Sequence, residues 1–597
     1  MNAPDLQLAV IGNCQIAALV DSQAAIVWCC LPRPDGDPVF SALLTPEGGA
    51  ATRGVFAVDL AGLAGSSQRY LPNTSILETE LTDEHGGRVR ITDFCPRHRS
   101  RGRMFRPMML VRIVEPVAGR PIIKLRLRPT SCWGQADSTG CGGSHHLRFA
   151  AEDLAYRVTT DCSLTALCEE RPQVLDRPMA FLVGPDETVE EAPLALARNF
   201  LHATRDYWRD WVRMLAIPFD WQEAVIRAAI TLKLCTFEDT GAVLAALTTS
   251  IPEAAGSRRN WDYRYCWLRD SYFVVQALNR LGATRTMEAY LHFIDGIVAR
   301  SPAAGLQPLY GLGGEPTLLE REITTLPGYR GMGPVRVGNS AALQVQHDVY
   351  GSVILASTQL FFDARLVSAG DLPLFERLER LGERALAVCE LPDAGPWELR
   401  NSQAVHSFSA AMSWAGCDRL ARIGTHLGRQ QAAARWREAA NEMQARILER
   451  AWNPHRNSLV ATFGGTDVDA TALLLPELGL IDARDPRFVA TLEVIGRELR
   501  EGDLLYRYRN ADDFGRPETA FLICAFWYVN ALAASGRIEE ARGQFERLLA
   551  RRTRLGLLGE DMDLRSGELW GNFPQTYSMV GIISSAIRLS RSWEQAL

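Results

Sequence analysis

Hydrophobic residues follow two different periods along the chain, and the change between them divides it. Between residues 6 and 185 apolar and polar positions alternate, as in Ile123, Leu125 and Leu127 with charged residues between them. Glycine, proline and aspartate interrupt this pattern at short intervals. A period of two residues is typical of half-buried strands. We therefore predict an N-terminal antiparallel β-sandwich domain over residues 1–190.

A helical pattern replaces the alternation after residue 190. Aromatic residues such as Phe200 and Trp208 recur there at helical spacing, which predicts a helical linker over residues 191–217. From residue 218 to residue 597 two kinds of helix alternate. One kind is apolar on every side, as in residues 519–532, which indicates burial all round. The other has a single apolar face, as in residues 538–549, which indicates a face in water.

The alternation of the two kinds of helix predicts an (α/α)6 barrel as the catalytic domain. One-faced helices start near residues 222, 284, 371, 430, 486 and 537, and more buried helices start near residues 267, 340, 405, 467, 518 and 574. The connections that enter the buried, inner helices are long and rich in glycine, proline and aromatic residues: 257–267, 310–339, 393–404 and 553–571. Because these connections share one end of the ring, and long structured loops are usually functional, we expect the active site at that end.

Composition narrows the classes of function and partner. A formal net charge of −6 argues against binding to nucleic acid or to an anionic membrane, since both need a basic surface. The N-terminus lacks the features of a signal peptide, and no apolar stretch is long enough to span a bilayer. The 13 cysteines show no metal-ligand spacing and are best explained as buried free thiols. We predict a cytoplasmic protein without metal or cofactor, and homo-oligomerisation stays open.

Two acidic motifs in the long connections are candidates for catalysis. Hydrolysis of a glycosidic bond needs one carboxyl to protonate the leaving oxygen and another to activate water or attack. Glu398 follows Trp397, whose indole would raise the pKa of a general acid by desolvation. Glu560 lies in a loop with several acids, and a wetter setting there would keep a general base ionised. We take Glu398 as the acid and Glu560 as the base.

Structural interpretations of the same residues stay open at this point. A glutamate at a loop-to-helix junction is most often a cap or a partner of the helix dipole. Arg269 and Asp270 would by default form an ion pair at a helix start, and the aromatic side chains of residues 261–267 would be core. His347 is better explained as a satisfied buried histidine than as a general base. The residues alone therefore suggest a saccharide pocket without excluding a structural role.

Specific motifs identify the chain as similar to bacterial members of glycoside hydrolase family 15, the glucoamylase, glucodextranase and trehalase group. The segment 259–270, with the sequence Arg-Asn-Trp-Asp-Tyr-Arg-Tyr-Cys-Trp-Leu-Arg-Asp, resembles a family motif closely. The segments 328–331, 334–339 and 571–575 continue the resemblance in the barrel. In the N-terminal domain, residues 11–33 and 69–94 resemble the opening of the family's β-domain. The resemblance covers essentially the whole chain.

The resemblance implies an inverting exo-hydrolase that releases β-glucose from the non-reducing end of an α-glucoside. By position, Glu398 matches the family's general acid and Glu560 its general base. The resemblance also implies that Arg269 and Asp270 hold the 4- and 6-hydroxyls of the terminal glucose. The full set of substrate-binding candidates is Tyr263, Trp267, Arg269, Asp270, Trp261, Trp397, Arg400 and Arg336.

Departures from the family pattern surround the side of the leaving sugar. Leu399 stands where some glucoamylases have a second carboxylate, and residues 401–404 replace a common Gly-Gly-Pro-Arg. We predict an α-glucosidase acting on trehalose or on a short α-gluco-oligosaccharide of the maltose or isomaltose type. The alternatives are a glycoside phosphorylase of related barrel architecture, which needs only the acid, and a non-catalytic sugar-binding sensor.

Overall fold

The computed structural model describes residues 5–45, 53–138, 140–151, 154–301 and 305–596. Residues 1–4, which belong to the stretch searched for a signal peptide, lie outside this description.

Two antiparallel sheets form the N-terminal part of the molecule, and their facing sides share one hydrophobic core. Alternation explains the packing, because Ile123 and Leu125 point into the core and are fully buried while Lys124 is partly exposed. One sheet contains Ala9–Gly12, Ala17–Val20, Ile26–Leu31, Asp37–Phe40, Val55–Leu60, Ile122–Arg128 and Gln173–Val174. The other contains Leu63–Tyr70, Leu77–Asp83, Arg88–Phe94, Leu110–Ala118, Gly140–Gly142, His146–Ala151, Leu154–Thr160 and Met179–Pro185.

A single long helix, Pro193–Arg213, connects the sheets to the helical part of the chain. Proline at its first turn suits a helix start, because that N–H group would have no partner inside the helix. Its buried face carries Trp208 and Trp211, and its first half packs on strand Met179–Pro185.

The helices after residue 218 confirm the predicted α/α arrangement. The outer helices are Gln222–Leu234, Thr284–Arg300, Leu372–Val388, Gln430–Ala451, Pro486–Glu498 and Ile538–Leu549. The inner helices are Leu268–Arg280, Asp348–Ser357, Ser407–His426, Leu522–Ala534 and Thr576–Leu589, with the short pair Ala470–Leu474 and Leu475–Leu478 in the fourth inner position. The fold class predicted from the sequence, a β-sandwich followed by an (α/α)6 barrel, is therefore confirmed.

Two details of the barrel differ from the sequence prediction. The fourth inner element is a 3-10 turn followed by a four-residue helix with Pro476 in its first turn, rather than a long helix. The first outer helix, Gln222–Leu234, was predicted to have a wet face but is buried over nearly its whole length. The N-terminal domain covers that face: the guanidinium of Arg227 donates to the carbonyl of Thr74 at 2.9 Å and lies 3.6 Å from the ring centre of Tyr70.

The N-terminal domain also supports the connections that enter the inner helices. The indole N–H of Trp28 donates to the carbonyl of Leu247 at 2.8 Å. The fully buried Arg264 forms a two-bond ion pair with Asp262, at 2.9 and 2.8 Å, and donates a further bond of 2.7 Å to the carbonyl of Gly36. The aromatic segment between residues 260 and 267 is therefore fixed against the β-sheets from behind.

Candidate active site

A cleft opens at the end of the barrel where the inner helices begin. Trp267 directly precedes the first inner helix, Phe521 precedes the fifth, and Gln575 caps the last, and all three line the cleft. The cleft encloses about 970 Å3 of free space, including its open mouth. This is the end at which the long connections were expected to meet. The predicted site residues that line it are Trp261, Tyr263, Trp267, Arg269, Asp270, Trp397, Glu398, Arg400 and Glu560.

Glu398 reaches the cleft from a loop that is closed at its base. Asp393 and Ala404 exchange backbone hydrogen bonds of 2.9 and 3.1 Å, so residues 393–404 form a short hairpin-like loop. At its tip Glu398 has φ +58°, in the left-handed region that non-glycine residues seldom adopt. The carboxyl oxygen Oε1 accepts a hydrogen bond of 2.6 Å from the indole of Trp267 and lies 3.4 Å from the guanidinium of Arg269.

Glu560 reaches the same cleft from a small antiparallel sheet. It directly precedes strand Asp561–Met562, and its carbonyl accepts from the N–H of Leu522 at 3.0 Å. Gly571, at φ +73°, lies against the side chain, and a Cβ atom there would come within 2.6 Å of the Cβ of Glu560. Glycine at this position therefore leaves room for the carboxyl group to turn into the cleft.

The charge environment of Glu560 differs from the one expected from sequence. The side chain is only 2% exposed, so the interpretation of a wetter loop is wrong. Burial raises the pKa of Glu560 well above its ordinary value, and the negative charges of Asp561 and Glu253 raise it further. The Tyr263 hydroxyl beside the carboxyl and the Arg507 guanidinium act in the opposite direction. The Oε2 atom is buried without a protein hydrogen-bond partner, which leaves it free for water or a substrate hydroxyl.

The indole that contacts the Glu398 carboxyl belongs to Trp267 rather than to the adjacent Trp397. Trp397 instead donates to Asp469 at 2.9 Å and packs edge-on against Phe521, with 5.8 Å between ring centres. Glu398 keeps 24% of its side chain exposed toward the cleft. Adjacency in the sequence therefore did not predict which indole contacts the carboxyl.

Arg269 and Asp270 lie together on the floor of the cleft. The guanidinium of Arg269 is within 3.5 Å of Asp270, 3.6 Å of Asp348 and 3.4 Å of Glu398. Burial raises the pKa of Asp270 to about 7, although Arg269 lowers it. The Asp270 atom Oδ1 is buried and accepts no hydrogen bond from the protein. One cation shared among several carboxylates leaves acceptor capacity for hydroxyl groups of a ligand.

Three further predicted residues, Trp261, Arg400 and Arg336, form one cluster with Glu320. The guanidinium of Arg400 lies 4.3 Å from the ring centre of Trp261 and donates to Glu320 at 2.9 and 3.2 Å. Arg336 also pairs with Glu320, at 2.6 Å, and lies behind Trp261 instead of lining the cleft. The structure thus brings all the predicted residues except Arg336 into one cleft.

Several cleft residues were missed by sequence reasoning. Glu253 accepts from Trp261 at 3.0 Å and from Arg507 at 2.7 Å, and both Glu253 and Arg507 line the cleft. Gln344 and Asp513 contact the backbone around Glu398 from two other loops. No periodicity or local motif distinguishes these side chains from ordinary loop residues. Gln575 could have been found, since it lies in a segment that already carried the family resemblance.

Among the residues that the structure describes, no group of three or more histidine, cysteine, aspartate or glutamate side chains is arranged to hold a metal ion. Within the same residues, no helix combines the length and apolarity required to cross a lipid bilayer.

Comparisons with known proteins agree with this architecture. The family described as Glycosyl hydrolases family 15 matches residues 220–587, and the family described as Trehalase-like, N-terminal matches residues 2–139. In fold, the chain is similar to a bacterial glucoamylase solved in complex with acarbose, with a TM-score of 0.69, 14% identity and coverage of 99% of this chain and 94% of that one.

Two curated relatives are similar over almost their whole lengths. A trehalase of Mycolicibacterium smegmatis (strain ATCC 700084 / mc(2)155) is 31% identical over 631 residues, covering 99% of this chain and 92% of the relative. A trehalase of Thermoplasma volcanium (strain ATCC 51530 / DSM 4299 / JCM 9571 / NBRC 15438 / GSS1) is 30% identical over 590 residues, covering 98% and 93%. The chain therefore belongs to glycoside hydrolase family 15 and is an O-glycosyl hydrolase.

Proposed function

We propose that this protein is an inverting α-glucosidase that hydrolyses trehalose, with Glu398 as the general acid and Glu560 as the general base. The observation that carries the proposal is that these two carboxyl groups, from distant loops, line one cleft with the Arg269–Asp270 pair between the inner helices. The curated relatives that match nearly the whole chain are trehalases, which supports the choice of substrate.

On the acid side, Glu398 donates its proton to the oxygen between the two sugars while the bond from that oxygen to the anomeric carbon breaks. The Trp267 indole at 2.6 Å holds Oε1, which leaves Oε2 for the leaving oxygen. Arg269 and Asp270 bind hydroxyl groups of the terminal glucose, whose anomeric carbon is attacked. Tyr263 and Trp267 form an aromatic wall beside the ring of the same glucose. Their ring centres are 5.3 Å apart.

On the base side, Glu560 accepts a proton from a water molecule as the oxygen of that water bonds to the anomeric carbon. Attack from the face opposite the leaving oxygen converts an α-glucoside into β-glucose. Inverting enzymes place the two carboxyls roughly 6.5–9.5 Å apart, which leaves room for the water. Glu560 must be ionised for this step, and Arg507 favours the ionised form in an otherwise acidic, buried setting.

A glycoside phosphorylase is disfavoured by the same cleft. In that reaction phosphate attacks directly, so no base is required, and a site with Glu560, Asp561 and Glu253 clustered together would repel the phosphate anion. A purely sugar-binding protein would not need a second, buried carboxyl in the lining of the cleft.

The test is an NMR time course with trehalose, maltose, isomaltose, nigerose and kojibiose. We expect trehalose to be cleaved fastest. The first turnovers should release α- and β-glucose in equal amounts, because the leaving glucose keeps its own α configuration while the attacked carbon inverts. α-Glucose alone would indicate retention, and glucose 1-phosphate formed only with added phosphate would indicate a phosphorylase. Faster cleavage of another disaccharide would replace the trehalose assignment.

We also propose that the chain divides into a β-sandwich domain (residues 1–190), a helical linker (191–217) and a barrel domain (218–597). The strands end at Pro185, the connecting helix is Pro193–Arg213, and the first barrel helix starts at Gln222, which supports these boundaries. A cytoplasmic location stays a prediction; buried cysteines such as Cys29, Cys235 and Cys524 are free thiols, as expected in a reducing compartment.

A further inference from the structure

The backbone that carries Glu398 is in a conformation that its own sequence does not favour. Glu398 is not glycine, yet its φ of +58° lies in the left-handed region. Such a residue persists only when the surrounding structure holds it there, and strain of this kind clusters at functional sites. The contacts that hold residues 398–401 therefore decide where the proposed acid points.

Gln344 holds the first half of this segment through its carbonyl groups. Its side-chain amide Nε2 donates to the carbonyl of Glu398 at 3.1 Å and to the carbonyl of Leu399 at 3.4 Å. The Gln344 side-chain oxygen in turn accepts from Gln346 at 3.0 Å, and the same Gln346 amide lies 3.4 Å from the Glu398 carboxyl. The loop before the second inner helix thus contacts both the main chain and the side chain of Glu398.

Asp513 holds the second half of the segment through its N–H groups. Its Oδ2 atom accepts from the N–H of Arg400 at 2.5 Å and from the N–H of Asn401 at 3.2 Å. Asp513 belongs to the connection that enters the fifth inner helix, far along the chain from Gln344. Two side chains from separate loops therefore bind three consecutive peptide groups, between residues 398 and 401: Gln344 binds two carbonyls and Asp513 binds two N–H groups.

We propose that Gln344 and Asp513 are positioning residues that together aim Glu398 at the leaving oxygen; this rests on the proposed function of Glu398 as the acid. A general acid must come within roughly 2.6–3.2 Å of the oxygen that it protonates. A displacement of about 1 Å at a reacting group can reduce the rate about 100-fold. Loss of either side chain releases the strained segment and moves the acid, while the binding site of the terminal glucose stays in place.

The test compares two substrates that differ in their need for an acid. Trehalose loses a sugar alkoxide, which must be protonated as it departs, whereas α-D-glucosyl fluoride loses fluoride, which departs with little protonation. For Asp513→Ala and for Gln344→Ala we expect kcat on trehalose to fall roughly 10- to 100-fold with little change in KM. On α-D-glucosyl fluoride we expect kcat to fall less than about threefold, since Glu560 still activates water.

Matched variants separate positioning from general damage. Asp513→Asn keeps one acceptor oxygen and should recover most of the trehalose activity. Asp482→Ala removes another exposed aspartate that accepts a backbone N–H, here that of Arg484 at 2.7 Å, and should leave both rates unchanged. The melting temperature of Asp513→Ala should stay near that of the wild type, because the side chain is exposed.

Three outcomes would overturn the inference while the proposed function stands. These are unchanged trehalose activity in both alanine variants, an equal loss on trehalose and fluoride, and a loss that appears only in KM. A wild-type protein that cleaves neither substrate would refute the proposed function itself, and the positioning role would fall with it.

Discussion

Arg269 is the charge on which the floor of the cleft depends. It is the shared partner of Asp270, Asp348 and Glu398, at 3.5, 3.6 and 3.4 Å. Both oxygens of the buried Asp348 lack hydrogen-bond partners within the protein, and burial raises the pKa of this carboxyl. A single buried cation therefore balances three acids, and small changes of charge in this region should alter both binding and catalysis.

The two proposed catalytic residues should respond differently to the leaving group. Glu398→Gln removes the proton donor, and we expect kcat on trehalose to fall about 100- to 10,000-fold. Much of the activity should return with α-D-glucosyl fluoride, because fluoride needs little protonation. Glu560→Gln should be severely impaired on both substrates, since both require activated water. Initial rates of both variants on both substrates check this prediction. Equal recovery of activity on α-D-glucosyl fluoride in the two variants would contradict the assignment of roles.

The pH dependence of catalysis should follow the charges around Glu560. Its pKa is raised in the free protein, and the base acts only when ionised, so kcat/KM should rise as the pH rises through that pKa. Glu253→Gln removes a negative charge that raises the pKa, so the acid limb of the profile should move to lower pH. Glu322→Gln, an exposed glutamate with 56% of its side chain accessible, serves as the control and should leave the limb in place. A shift to higher pH in Glu253→Gln would contradict this electrostatic account.

At the scale of elements, the cleft is framed by inner helices that pack very closely. Helix Asp348–Ser357 approaches helix Ser407–His426 at Gly351, where an added Cβ atom would collide with the carbonyl oxygen of Met412. Gly416 lies opposite, and a Cβ built there would come 3.4 Å from the Cα of Gly351. Small residues on facing helices allow this approach, which places the loops carrying His347 and Glu398 side by side.

Gly351→Ala should therefore destabilise the barrel. Its methyl group must push the two inner helices apart, and overpacking of this kind costs roughly 1–3 kcal/mol. Gly543→Ala, on the outer helix Ile538–Leu549, is the matched control, because the nearest atom to its added Cβ is a flexible arginine nitrogen at 3.4 Å. That variant should be neutral or more stable by up to about 1 kcal/mol, since alanine favours helix. Urea denaturation of both variants distinguishes them, and equal stability would show that the helices can separate freely.

At the scale of the whole molecule, the two domains share a hydrophobic core. Val10 and Trp28 of the first sheet, with Leu6 and Leu8 just before its first strand, belong to the same buried cluster as the barrel helices. The buried pair of Arg264 with Asp262 adds polar contacts across this junction. We therefore expect the domains to unfold in one cooperative transition, and calorimetry should show a single peak.

Removal of one member of the buried pair should weaken the junction strongly. Arg264→Met leaves Asp262 as an uncompensated buried charge, a change that typically costs about 3–5 kcal/mol. Activity should fall as well, because Trp261 and Tyr263 flank that aspartate. Arg435→Met breaks an ion pair with Glu383 on the surface, where both side chains are about half exposed, and should cost at most about 1 kcal/mol. Similar losses in the two variants would show that the buried pair has no special role; guanidinium denaturation provides the comparison.

Local patterns in the sequence were sufficient to predict the β-sandwich, the helical linker, most of the barrel and the end at which the cleft lies. The period of the hydrophobic pattern and the apolar content of a segment depend only on neighbouring residues, so both can be read from the sequence directly. The two errors have different causes. The helix Gln222–Leu234 is covered by another domain, which is a tertiary contact that no local pattern shows. The fourth inner element is short for a local reason that the prediction overlooked, because Gly479, at φ +91°, ends its helix after four residues.

The order of amino acids specifies which residues carry acidic, basic and aromatic chemistry, and its motifs were specific enough to indicate the family. Folding then sets which of these side chains meet: Trp267 rather than Trp397 contacts Glu398, Arg336 lies behind the cleft, and Glu560 is buried. The physical reason is that contact and burial depend on loops far apart in the chain. The ionisation of a carboxyl follows from the charges and the solvent that the fold places around it.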